Sequence, residues 1–201
     1  AAGGIVFPGF VDSHTHPVYG GSRADEFIRR TKGESYEEIT KKGGGINYTL
    51  KMTAETSDEI LEKTVLDNLK MSTEYGITTV EAKSGYSLTK EGELRLLRIL
   101  QSAKEKSDLD MKITYLGGHF LPKGRNKDEF IEEVKETIEI VAKEKLADYF
   151  DVWVESIGFN ISDSEKMISQ ALKHGLKVRI HTNELSSFDG GYLAKDYDIT
   201  S

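Results

Sequence analysis

The sequence predicts an α/β fold built on a parallel sheet, and three observations predict it. Short apolar runs alternate with longer amphipathic segments along most of the chain. The longer segments repeat their apolar residues at helical spacing. Glycines stand at joints where a helix would stop and a strand begin.

The first strand is expected at IVFPGFV (5–11). Segment 22–56 is less regular: the GGG at 43–45 signals a loop, and a short helix is expected near 35–42. Leu61, Val65 and Leu69 then mark a helix, which Gly76 would end just ahead of a second strand, ITTVEA (77–82). Leu94, Leu97, Leu100 and Ala103 mark the next helix, before a strand at MKITYLGG (111–118). Phe130, Val134, Ile138 and Val141 share one face of a helix over 127–142, followed by YFDVWVE (149–155). Ser162 with Glu165 reads as a capping box for a helix carrying Met167, Ile168, Ala171 and Leu172. Gly175 would close that helix before the last strand, LKVRIH (176–181). Two architectures fit. One is an open doubly wound sheet. The other is a partial (β/α)8 TIM-type barrel of about five βα units, forming one domain over 1–201. A complete barrel needs roughly 250 residues. No GxGxxG follows a strand, so a dinucleotide-binding sheet lacks support.

Composition narrows the function classes. A net charge of -7 argues against a nucleic-acid partner, which would call for a basic face. No apolar run approaches the ~18 residues of a membrane span, and no leader pattern opens the chain. The cysteine count is 0, so a metal here would be held by histidine and carboxylate. A cytoplasmic setting is expected.

The chemistry-bearing residues gather at strand ends. His14 and His16 follow the first run, Lys83 and Tyr86 the second, His119 the third; Glu155 ends the fourth, and His181 the fifth, with Glu184 three residues on. In a barrel those ends open on one face, where active sites lie. Of 5 histidines, only His174 stands elsewhere, near a helix C-terminus where a cation is favoured. An HxH pair with a third imidazole, in a chain without cysteine, suits Zn2+ or Fe2+. Asp12 is expected to orient a ligand rather than bind metal. Lys83 reads as a buried stem with a solvated tip, and Glu155 as a structural charge.

PGFVDSHTH is similar to the first-strand signature of the amidohydrolase superfamily, metal-dependent hydrolases on (β/α)8 barrels. HTHPVYGGSRADEF (14–27), KSGYSL (83–88), GGHFLP (117–122) and IHTNEL (180–185) together resemble its imidazolonepropionase family. The resemblance covers nearly the whole chain. It implies that His14, His16 and His181 are metal ligands, and that Arg23, Tyr86, His119 and Glu184 contact substrate. Arg23 would pair with the propionate; Tyr86 and His119 would hydrogen-bond the ring and its carbonyl. Glu184 and His119 are the catalytic candidates, Glu184 for ring contact or proton transfer. The implied reaction is hydrolysis of a small-molecule substrate, 4-imidazolone-5-propanoate, to N-formimidoyl-L-glutamate, with a homodimer as a possible assembly. The family pattern has a preceding β-sandwich part, later barrel strands, a further histidine and a metal-ligating aspartate, none of which this sequence contains. A fragment is therefore expected, with unpaired edges at its first and fifth strands, weak metal retention and no activity alone. Within IHTNEL, an asparagine stands where the family pattern usually has aspartate. The alternatives are another amidohydrolase, acting on a cyclic amide or deaminating a heterocycle, and a non-catalytic α/β domain with incidental histidines.

Overall fold

A computed structural model describes residues 2–197 and 199–201, with Tyr36 and Glu37 described by backbone only. Its elements run in the order β1 (Phe10–Thr15), α1 (Ala24–Thr31), α2 (Tyr36–Lys41), α3 (Ile46–Glu55), α4 (Asp58–Glu74), β2 (Ile77–Lys83), α5 (Lys90–Lys106), β3 (Asp110–Gly118), α6 (Lys127–Glu144), β4 (Tyr149–Val154), α7 (Ile161–Lys173), β5 (Lys177–Thr182) and α8 (Gly190–Asp196). The strands form one parallel sheet in the order β1-β2-β3-β4-β5. A doubly wound sheet reverses its strand order at a switch point. No such reversal occurs here, and the sheet curls into a half-barrel of the (β/α)8 type.

Alternation along the strands sorts the two faces. Val80 and Ala82, Met111, Ile113 and Tyr115, Phe150, Val152 and Val154, and Val178 all join one apolar core. The helices supply its other side, through Leu61, Val65 and Leu69 of α4, Leu97 and Leu100 of α5, Val134 and Ile138 of α6, and Met167 and Ile168 of α7. The intervening strand residues, Glu81, Lys83, Thr114, Asp151 and His181, face the concave side. The apolar periodicities in the sequence are therefore the helix faces that cover the sheet.

Three expectations about the elements need correction. The first strand begins at Phe10, not at residue 5. Pro8 has no N–H to give a ladder, and pairing starts only where Phe10 N–H donates to the Gly76 carbonyl (2.9 Å). Ile5, Val6 and Phe7 stay exposed. His14 consequently lies inside β1, and His16 just past its end. The cap of α7 is Asn160, whose side chain accepts from Asp163 N–H; Ser162 already lies within the helix. The outer edge of β5 is partly covered: Thr200 N–H donates to the Val178 carbonyl (2.7 Å), and Ile180 N–H to that of Ser201 (2.9 Å). The short helix near 35–42 is α2, and Gly76 and Gly175 adopt positive φ at the ends of α4 and α7.

Candidate metal and substrate site

β1 sends His14 and His16 to one side of the sheet because they are two residues apart. β5 brings His181 to the same place from the far edge. The Nε2 atoms of His14 and His16 are 3.3 Å apart, and those of His14 and His181 are 3.4 Å apart. All three ligand nitrogens lie within 4.8 Å of one another. Tetrahedral ligands at a zinc–nitrogen distance of about 2.0–2.1 Å are separated by roughly 3.3–3.4 Å. The trio therefore fits a divalent transition ion.

Protonation favours the same role. Burial, then the neighbouring rings of His119 and His14, push His16 down to about 3. Burial and the Lys83 ammonium lower His14. Both rings keep a nitrogen lone pair at neutral pH, as a metal ligand must.

His181 is held from behind. Its Nδ1 donates to Asp151 Oδ1 (3.0 Å), which leaves Nε2 turned to the other two imidazoles. The second Asp151 oxygen accepts from Lys83 Nζ (2.7 Å), which also donates to Glu81 Oε1 (2.6 Å). Thr114 hydroxyl donates to the same Glu81 oxygen. Burial opposes ionisation of Asp151, but its bond to His181 and the Lys83 charge hold it down at about 2. The Lys83 tip is thus buried, only 2% exposed, rather than solvated. Asp12 orients no imidazole in this way; its carboxylate accepts from the backbone N–H of His14 (3.4 Å). Asp151, not Asp12, is the carboxylate that orients an imidazole of the cluster. The signal that could have found it is a set of charged residues, Glu81, Lys83 and Asp151, at the alternate positions of otherwise apolar strands.

Two adjoining cavities meet at His16. One, of about 270 Å³, is lined by His16, Arg23, Thr49 and Tyr86 among others. The other, of about 440 Å³, is lined by His14, His16, His119, His181, Thr182 and Glu184. Arg23 occupies the N-cap position of α1 and is delivered by the Gly20–Gly21 turn. That turn lies so close to α3 that a Cβ on Gly20 would stand 2.5 Å from the Met52 carbonyl oxygen. The rings of Tyr86, His16 and His119 form a triangle: the Tyr86 centroid lies 5.2 Å from that of His16 and 6.1 Å from that of His119, and the two imidazoles are 5.9 Å apart. His119 Nδ1 donates to the Gly85 carbonyl (3.0 Å). Burial lowers its pKa, so the ring is neutral at pH 7 and its Nε2 is an acceptor. Every residue named from the sequence as metal- or substrate-binding thus lines one of the two cavities.

Glu155 is buried and structural, as expected. It accepts from the N–H groups of Ser156, Leu185 and Ser186 and from the Ser186 hydroxyl, pinning the loop that carries Glu184. His174 lies within 3.5 Å of Glu139, far from this face.

The profile of the Amidohydrolase family matches residues 5–189. The chain belongs to the amidohydrolase family. Amidohydrolases are metal-dependent, in keeping with the histidine cluster. The imidazolonepropionase of Christiangramia forsetii is 41% identical to this chain, covering 100% of it and 50% of the relative. That of Vibrio campbellii is 43% identical, covering 96% of this chain and 47% of the relative. The chain thus spans about half the length of the curated relatives it matches. Among solved structures, a 5-methylcytosine deaminase from Klebsiella pneumoniae superposes with a TM-score of 0.65 at 19% identity, covering 92% of this chain and 42% of that one. At that identity the likeness is one of fold alone. No helix among the described residues is long and apolar enough to cross a membrane.

Proposed function

We propose that this chain carries the metal- and substrate-binding residues of an imidazolonepropionase-type hydrolase. The reaction adds water to 4-imidazolone-5-propanoate and yields N-formimidoyl-L-glutamate. The observation that carries the reading is the convergence of His14, His16 and His181 beside cavities lined by Arg23, Tyr86, His119 and Glu184. The identity of 41% to an imidazolonepropionase supports the choice of substrate.

His14, His16 and His181 would hold Zn2+ or Fe2+, since neutral imidazoles suit both. A bound ion supplies Lewis acidity toward the ring carbonyl and lowers the pKa of water toward about 7. Arg23, on the cavity rim, offers a planar fork to the propionate carboxylate. The Tyr86 hydroxyl donates to the ring. His119 serves as an acceptor: with its Nδ1 proton given to Gly85, a neutral ring has no donor left for the substrate carbonyl, so Nε2 accepts from a ring N–H or from water. Glu184 takes a proton from the attacking water and returns it to the departing ring nitrogen. The water oxygen joins the carbonyl carbon, the carbonyl carbon–nitrogen bond breaks, and the proton ends on that nitrogen.

The test is turnover by the longest polypeptide that carries this chain. Imidazolonepropionate should be consumed, chelation should stop the reaction, and Zn2+ or Fe2+ should restore it. His14→Ala should lower kcat/KM by about 100-fold or more. Hydrolysis of a different cyclic amide, or deamination of a heterocycle, with imidazolonepropionate untouched would replace the substrate. Metal content unchanged in His14→Ala and His16→Ala would make the histidines incidental.

A further inference from the structure

The loop between β2 and α5 carries Tyr86, and its backbone is gathered around one buried carboxylate that the mechanism above does not use. Glu93, in the first turn of α5, is only 2% exposed. Its Oε2 accepts from Gly85 N–H (2.8 Å), and its Oε1 from the N–H groups of Ser87 (2.7 Å) and Leu88 (3.0 Å). The Ser84 side chain also hydrogen-bonds it. Two carboxylate oxygens thus meet four donors, close to their full accepting capacity. The loop needs such an anchor because its backbone is unusual: Gly85 has φ 111° and Leu88 has φ 59°. Neither makes a helix or strand ladder at that point, and a buried N–H without an acceptor is costly.

The contact reaches further than the loop. The N–H of Gly85 is fixed by Glu93, while the carbonyl of Gly85 accepts from His119 Nδ1 (3.0 Å). Gly85 also lies so close to His119 that a Cβ there would stand 3.2 Å from Nδ1. One carboxylate on α5 therefore touches, through a single residue, the group that decides which nitrogen of His119 carries the proton. We propose that Glu93 is a positioning residue: it fixes the place of Tyr86 and, through Gly85, holds His119 as the Nδ1–H tautomer with Nε2 as acceptor. This role rests on the proposed reaction for its catalytic meaning, but its structural part stands apart from it. Burial pushes the Glu93 carboxyl up, against the donors around it, which favour the anion.

The experiment compares the chain with Glu93→Gln. Glutamine keeps the shape but turns an NH2 toward one of the loop's N–H groups, so at least one loses its acceptor. Long-range proton–nitrogen NMR of the His119 ring should show Nδ1–H in the wild type and a mixed or inverted tautomer in the variant. Amide exchange at Gly85 should quicken by about tenfold or more, and Zn2+ content should not change. In the longest polypeptide carrying the chain, kcat should fall by roughly 10- to 100-fold with metal occupancy intact. A folded Glu93→Gln protein that keeps the wild-type tautomer and a kcat within twofold overturns the proposal. So does a wild-type ring protonated at Nε2, a result that needs no variant and decides the matter should Glu93→Gln fail to fold. Loss of metal dependence, or inertness toward imidazolonepropionate in the wild type, would instead overturn the functional reading and leave the tautomer result standing.

Discussion

Lys83 is the residue with most at stake in this sheet. Its ammonium is 2% exposed and sits between two carboxylates that are themselves buried, Glu81 at 3% and Asp151 at 1%. Removing one member of a buried ionic group costs about 3–5 kcal/mol, because the partners stay behind without compensation. Lys83→Met leaves two buried carboxylates without the ammonium between them, with Arg179 still 4.0 Å from Glu81. Urea denaturation should show a loss of that size, a large part of the roughly 5–15 kcal/mol that holds a typical domain. A loss below about 1 kcal/mol would mean that solvent reaches the network. The sequence hides such a residue. A lysine near a strand end ordinarily buries its stem and wets its tip, and the partner that keeps this one dry, Asp151, is 68 positions away. The three clustered histidines were legible for the opposite reason: they stand at or near strand ends, and most of the strands were readable from local pattern.

At the scale of elements, the stretch of the loop after β5 that carries Glu184 is held by hydrogen bonds to Glu155. Ser186 hydroxyl and the backbone N–H groups of Ser156, Leu185 and Ser186 all donate to Glu155, and the Ser186 bond leads in holding its pKa down at about 2. A depressed carboxylate pKa stabilises the fold above its unfolded value of roughly 4.3, and that contribution fades as pH falls through the folded value. The Glu184 loop should therefore loosen between about pH 4.3 and 2. Amide exchange of Leu185 and Ser186, followed against pH and corrected for intrinsic rates, should report the loss there. Protection that stays flat across this window would show that Glu155 does not anchor the loop. Helix faces were predicted well because they need only a period of apolar residues, whereas two boundaries were misread. Pro8 and Gly9 postpone β1 beyond its apolar lead-in, and Asn160 takes the cap of α7 that Ser162 was expected to fill. In each case a backbone hydrogen bond decided, and a hydrophobic pattern carries little information about those.

The whole molecule is a curled sheet whose convex side is covered by helices and whose concave side is charged and polar. Sequential strand order settles what composition left open between a doubly wound sheet and a barrel. It also explains why residues from β1 and β5, 167 positions apart at His14 and His181, can share a site: curling brings the C-terminal ends of the outer strands together. A flat sheet of five strands would hold its first and fifth strands about 19 Å apart, four strand spacings of roughly 4.7–4.9 Å. The histidine cluster is therefore a consequence of curvature, and on the proposed function that curvature delivers three imidazole nitrogens to one ion. The most direct test is a crystal of this chain grown with Zn2+ and measured at the zinc absorption edge. One anomalous peak is expected about 2.0–2.1 Å from Nε2 of His14, His16 and His181 together. A zinc-saturated crystal with no peak among these three nitrogens, or with the ion bound elsewhere, would contradict it.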